Sequence, residues 1–492
     1  MAEREHDTNP GAVHRMTDTE FVMWTLDDDP ALRSDFVNVT LLASSPDEDR
    51  LRSKVVDALL AVPHFADRVI AAPLRLAPPE WHPAAEIDLD YHLRKVALPA
   101  PGGMRELLDL TAVLAATPFD RSRPLWEFTL VEGLADGRTA LVEKVHHAIT
   151  DGVGALKLSM TMVDFEPDPA TPERPRSVLD DVEALDPSSR LDLRAHELRV
   201  DDPIDRTTLA EVLTDAVGYA LARQVRLARA TLTATTDLLV HPQDAPTRAN
   251  DVLALLGSVR RQVLITDSSR SRPFAQRSLA RRYETFAVPF EPAKRAAKTL
   301  GGTLNDLYVT GVAGALGRYH ERLGEPVEEL RMAMPVNLRT DGMTGPGNAF
   351  APTRVLVPVG PKEPAARFAA ISERLGGLRH EPALGAIGSL SGVLASLPAS
   401  ALLALTRLQA ATIDFATSNL RGSPVDLYAG GARIDGNFPM GPREGSPLNV
   451  TMLSYCGELQ MGLHLDPAAV TDPNALLECL EESFDGLLAA GA

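Results

Sequence analysis

Apolar and polar positions alternate over FVNVTLLAS (36–44), LWEFTLVEGL (125–134) and ALVEKVHH (140–147), and this period of two predicts three strands. Between the first two, MRELLDLTAVLAAT (104–117) follows Gly102-Gly103 and repeats its apolar residues with helical spacing. After the third strand, Asp151-Gly152 breaks the pattern, and VGALKLSMTMV (153–163) resumes as a helix. The first third of the chain therefore reads as strands and helices in alternation.

The pattern then changes. EPDPATPERPRSVLDDVEALDPSSR (166–190) is rich in proline and acid, which marks a surface crossover, and a helix-like stretch follows at 209–232. From Arg281 the alternation returns. RRYETFAVPF (281–290) reads as a strand and EPAKRAAKTL (291–300) as a helix. Thr303 and Asp306 form a capping-box-like pair at the start of a further helix. RMAMPVNL (331–338), TRVLVPV (353–359), NVTMLSY (449–455) and LQMGLHL (459–465) read as strands, the last two joined through Cys456-Gly457-Glu458 as a hairpin. The expected architecture is α/β (α+β) in two halves. Residues 1–16 form a disordered tail, 17–165 the first half, 166–275 a crossover linker with helices, and 276–492 the second half.

At 492 residues the chain is longer than one core usually organises, which agrees with two domains. Its formal net charge of -18 disfavours nucleic-acid binding through bulk electrostatics. The two cysteines, Cys456 and Cys479, form no CxxC, so a thiolate metal site or disulfide scaffold is not expected and a reducing cytosol suits the chain. MAEREHDTNPGAVHR lacks the apolar core of a signal peptide. Residues 382–406 carry no charge and are long enough to span a bilayer, but Pro398 and many small residues interrupt them. Two short helices, packed inside the protein or lying on a membrane surface, are the expectation.

The candidate chemistry sits in HHAITDG, from His146 to Gly152. On a strand, His146 and His147 point to opposite faces, which is poor geometry for one metal held by both. No HExxH and no Cys/His cluster lies nearby, so no metal is expected. One imidazole facing a cavity suits a general base, since its ordinary pKa lies near working pH. Asp151 then orients the site or locks the loop, and Gly152 permits a sharp turn. There is no GxSxG elbow, so direct transfer with an activated acceptor is favoured over a covalent intermediate.

HHAITDG resembles the HHxxxDG motif of the chloramphenicol-acetyltransferase-like superfamily. Further blocks narrow the resemblance to the bacterial wax ester synthase/acyl-CoA:diacylglycerol acyltransferases. Arg123-Pro124-Leu125-Trp126-Glu127 resembles the family's PLW block, and Asn305-Asp306 its ND block. Pro335 to Arg339 with Gly347-Asn348 resembles the next block, and Ser418-Asn419 opens a counterpart of SNxPG. Here that last block reads SNLRGS, without the family's prolines and with Arg421 as an added charge, which bears on the local loop shape. The resemblance runs from about Thr17 to the C-terminus.

The resemblance implies two chloramphenicol-acetyltransferase-like domains with a tunnel at their interface. It implies transfer of a fatty acyl group from acyl-CoA, a co-substrate with no other cofactor, to diacylglycerol or a long-chain alcohol. His147 is then the base, with His146 in support, Asp151 structural and Arg339 its partner. Asn305 would stabilise an oxyanion or hold an amide of the substrate. Asp306, Pro124, Leu125, Trp126, Arg339, Ser418 and Asn419 complete the implied substrate-binding set. CoA also needs cations, and Arg270, Arg272, Arg277, Arg281, Arg282, Lys294, Arg295 and Lys298 make one stretch locally basic. A cytoplasmic enzyme peripheral to the inner membrane face or lipid droplets is expected. The alternatives are another CoA- or carrier-dependent acyltransferase or condensation enzyme, and a non-catalytic lipid-binding relative.

Overall fold

The strands foreseen from alternation assemble into two six-stranded mixed sheets in a computed structural model of the chain. The structure describes residues 13–149, 152–169, 268–337, 350–378 and 392–492, apart from 63, 73–76, 85, 361, 393 and 396. The first half supplies β1 (His14–Arg15), β2 (Asp35–Leu42), β3 (Asp67–Ile70), β4 (Glu80–Pro83), β5 (Leu93–Ala97), β6 (Trp126–Glu132) and β7 (Thr139–His146). The second supplies β8 (Arg282–Pro289), β9 (Glu329–Asn337), β10 (Phe350–Pro358), β11 (Phe415–Arg421), β12 (Tyr428–Ala429), β13 (Ala432–Met440), β14 (Leu448–Tyr455) and β15 (Glu458–Leu465).

One sheet has the order β12-β13-β2-β7-β6-β5 and the other β10-β9-β11-β14-β15-β8. A small third sheet, β1-β4-β3, stands apart. Residues 13–16, placed in a disordered tail from composition, belong to this structure instead. His14 pairs with Trp81 and Met16 is buried, because the short strand has an edge of β4 to add to. Residues 170–267 of the crossover, with its helix-like stretch at 209–232, lie outside the described residues, as do residues 382–391 of the uncharged segment. The rest of that segment includes the start of helix Ala399–Ala410, which begins just after Pro398. Among the described residues no helix is long and apolar enough to cross a membrane.

Local rules account for several elements. The hairpin between β14 and β15 turns on Cys456 and Gly457, with φ of 42° and 84°. Two positive values in succession are what a two-residue turn of type I′ demands. Helix Leu304–Arg322 starts with the capping box foreseen for Thr303 and Asp306, each backbone N–H donating to the other's side chain (2.8 and 3.2 Å). That helix is buried along most of its length against helix Pro473–Ala490 and the second sheet.

The halves interlock through β13. It comes from the second half of the chain yet pairs antiparallel with β2 in the first sheet, Phe438 opposite Val39. On its other side it passes close over β15. A Cβ at Gly462 would lie 2.1 Å from the Pro439 carbonyl oxygen, so only glycine permits the approach.

Candidate active site

Strand β7 ends at His146 because the backbone there turns out of the sheet. The His146 N–H donates to the Leu125 carbonyl (3.0 Å), and the His147 N–H to the Ser34 carbonyl (3.2 Å). Ile149 then donates to the His146 carbonyl (3.1 Å), closing a turn around the second histidine. The two imidazoles face opposite ways, as strand geometry requires. His146 points inward between Trp24 and Phe119, at centroid distances of 6.4 and 6.2 Å, and is 1% exposed. His147 lies against Phe36 (5.1 Å), as a residue less buried than His146, with its Nδ1 buried.

Burial holds both rings neutral. It pushes His147 down to about 4, with neighbouring His146 adding to the shift. It pushes His146 to about 4 as well, against the pull of Asp27. The Ala148 N–H donates to His146 Nδ1 (3.0 Å), so the lone pair is on Nδ1 and the proton on Nε2. His146 Nε2 faces Asp27 Oδ1 at 3.8 Å. Asp27, Asp35 and His146 each bring a potential ligand atom within 4.8 Å of the others, all buried. A cation would need the Nε2 lone pair, which the hydrogen bond from Ala148 places on the other nitrogen. The donor set therefore does not fit a metal in this tautomer.

His92, stacked on Trp126 and buried, is also depressed to about 4. His92, His146 and His147 titrate near 6.5 when unfolded and near 4 when folded. Between those values the unfolded chain binds more protons, so stability rises with pH there. The contribution is complete above about pH 6.5 and drains away as pH falls towards 4. A series of thermal melts across that window should show Tm falling as pH drops. A Tm that stays level throughout would contradict the assignment of these rings as buried and neutral.

The block around Trp126 packs behind the motif and holds it through Leu125. Trp126 is fully buried, stacked on Phe65 at 4.4 Å, and its Nε1 donates to the Phe65 carbonyl (2.8 Å). Leu125 is buried and holds His146 through its carbonyl, and Pro124 is buried just ahead of it. The Asp306 carboxylate accepts from the Thr303 N–H (2.8 Å) and from Ser372 Oγ (3.2 Å). Asn305 and Asn419, 114 positions apart, do meet, with Asn419 Nδ2 donating to Asn305 Oδ1 (3.1 Å). Ser418 stands beside Asn419 on β11, opposite Thr451 of β14. Among the described residues no hydrogen bond joins this asparagine pair to His147. Gly152 opens helix Gly152–Met162, while Asp151, Arg339 and Gly347-Asn348 lie outside the described residues.

Four cations of the basic stretch have partners of their own. Arg277 donates to the carbonyls of Gly445 and Ile413 inside the fold, and Arg272, Arg282 and Lys294 have acidic neighbours in Glu325, Glu284 and Glu291. Residues that sequence reasoning missed cluster on the other side of the histidines. Ser34 Oγ donates to Glu444 (2.9 Å), which reaches over from the second half with φ of 47°. Burial raises the Glu444 carboxyl above its ordinary range. Arg407 of helix Ala399–Ala410 pairs with Asp29 in the same segment. No local motif marks these contacts, because each joins residues hundreds of positions apart.

Residues 36–308 match the model of the wax ester synthase/diacylglycerol acyltransferase catalytic domain, and residues 346–488 match that of the WS/DGAT C-terminal domain. The chain belongs to the wax ester synthase/diacylglycerol acyltransferase family. A Mycobacterium tuberculosis protein provisionally named a diacylglycerol O-acyltransferase is 33% identical over 490 residues, covering 99% of this chain and 94% of the relative. A second from the same organism, named in the same way, is 30% identical over 495 residues, covering 97% and 98%. Among solved structures, the wax ester synthase/diacylglycerol acyltransferase of Marinobacter aquaeolei VT8 aligns with a TM-score of 0.60 at 21% identity, covering 97% of this chain and all of that one. The first condensation domain of the calcium-dependent antibiotic synthetase aligns with a TM-score of 0.56 at 18% identity, covering 98% and 97%. These two likenesses establish the two-part, chloramphenicol-acetyltransferase-like fold. As a member of the wax ester synthase/diacylglycerol acyltransferase family, the chain is an O-acyltransferase.

Proposed function

We propose that the protein moves a fatty acyl group from acyl-CoA to the hydroxyl of diacylglycerol or of a long-chain alcohol, with His147 as general base. The observation that carries this reading is His147 itself. Its ring is neutral and follows the end of β7, in the family's motif, with Nδ1 buried in the protein. Nε2 is then the nitrogen left for the acceptor. It takes the hydroxyl proton as the oxygen attacks the thioester carbonyl. The C–S bond breaks as the ester forms, and the imidazolium returns its proton to the departing sulfur. A thiolate leaves readily, so the base at the alcohol matters more than the acid at sulfur.

Asn305 contributes a donor to the substrate. Asn419 occupies its Oδ1, which leaves the Nδ2 end for an oxyanion or a pantetheine amide. The tunnel for the acyl chain runs between the halves. Acyl-CoA enters as co-substrate, with no resident cofactor. The enzyme works in the cytoplasm at a membrane or lipid-droplet surface. Helix Ala399–Ala410, which begins within the uncharged stretch, leaves Leu408 exposed and would face such a surface.

The test is a radiolabelled acyl-CoA assay with hexadecanol and diacylglycerol in parallel, products separated by lipid chromatography. Wax ester or triacylglycerol should form. Neither product, with label appearing only from an acyl-carrier donor, would replace this reading with carrier-dependent transfer.

A further inference from the structure

Behind the active-site turn lies a group of polar atoms that the reaction does not use. Asp27 Oδ1, both carboxylate oxygens of Asp35 and His146 Nε2 are buried, and none has a hydrogen-bond partner. Asp35 is 3% exposed and stands directly opposite His146 across the β2–β7 pair. A buried carboxylate without a hydrogen bond costs stability, and the cost is larger when a second acid sits beside it. Asp27 is offset by Arg121 (3.2 Å) and by the more distant Arg33 (3.9 Å). Lys144 and Arg281 act on Asp35 only through space. Side chains kept at such a cost point to a task outside folding.

Geometry supplies the task. A neutral imidazole carries its proton on either nitrogen, and the hydrogen bonds around the ring decide which. Asp27 Oδ1, 3.8 Å from Nε2, favours the proton there, and Asp35 belongs to the same buried cluster, its carboxylate acting alongside Asp27. Nδ1 is then free to accept from Ala148, and that bond spans His147, bracketing it between the ring of His146 and the next peptide. Ser34, next to Asp35, fixes the His147 N–H from the other side. We propose that Asp35, with Asp27, is a positioning residue of the transfer: it locks His146 in the Nε2–H form, and the lock closes the turn that presents His147. This rests on the reading of His147 as the base.

The test uses the full chain with Asp35→Leu, Asp35→Asn, His146→Asn and His146→Gln. Asp35→Leu removes a buried acid that no hydrogen bond satisfies, so Tm should hold or rise. Its kcat should fall roughly tenfold to a hundredfold through misplacement of the base, with KM little changed. Asp35→Asn keeps a carbonyl oxygen in the cluster opposite His146 and should retain more of kcat. His146→Asn places an acceptor where Nδ1 was and should outperform His146→Gln, which mimics only Nε2. Nitrogen shifts of ring-labelled histidine, read by long-range proton–nitrogen NMR, should move from one tautomer to a mixture in Asp35→Leu. The proposal is overturned if Asp35→Leu keeps wild-type kcat, if Tm and kcat fall together in both Asp35 variants, or if His146→Gln is the better of its pair. Should the wild-type chain transfer no acyl group at all, the proposed function fails by itself. The tautomer readout still decides the lock: a mixture in Asp35→Leu supports it, and an unchanged tautomer overturns it.

Discussion

His147→Ala is expected to lower acyl transfer by roughly 10²–10⁴-fold while the protein stays folded. The backbone contacts of the turn do not depend on the ring. The His147 N–H to Ser34 and the Ile149 N–H to His146 both survive truncation. Removing an imidazole that burial keeps neutral also removes a destabilising titration at acid pH, so Tm should not drop at pH 6. Turnover with labelled acyl-CoA and a far-ultraviolet circular dichroism melt make the comparison. A variant with full turnover would remove His147 from the mechanism.

Trp126→Ala should have the largest effect on stability, about 3–5 kcal/mol, as for other buried tryptophans truncated in a core. The indole sits between Phe65 and His92, each ring at 4.4 Å, and its loss leaves the Phe65 carbonyl without its donor. Activity should fall with it, because the preceding residue, Leu125, holds the His146 N–H. Urea unfolding gives the measure. A loss below about 1 kcal/mol would show that the stack contributes little beyond area and would return Trp126 to the substrate side of the site.

Periodicity located the strands that bear the site. The stretch 140–147 became β7 with His146 at its last position, and opposite faces for the two histidines followed from the pleat. Capping chemistry fixed the start of helix Leu304–Arg322, and the Cys456-Gly457 turn was readable from its glycine. What stayed hidden were pairings over long separations. Asp35 meets His146 through strand register, Glu444 meets Ser34 across the halves, and ARIDGNFPM gives no sign that it will complete a sheet begun by residues 35–42. Asp306 and Trp126 sat in recognisable blocks, but only packing shows that one is a cap and the other a core stack. The helices Asp18–Leu26 and Glu48–Ala61 could have been found from Thr17 and Asp47, whose side chains cap them.

The strand exchange by β13 bears on how this chain can be dissected. A fragment ending near residue 308, where the catalytic-domain match stops, would lack its partner for β2. β2 is Asp-Phe-Val-Asn-Val-Thr-Leu-Leu, apolar and β-branched, and a bare edge of that composition is a template for self-association. The two matched regions are therefore not separable modules but complementing pieces. Expressed apart, the first should aggregate; supplied together in trans, the second would cap it by donating the missing strand, much as one subunit of a swapped dimer completes another.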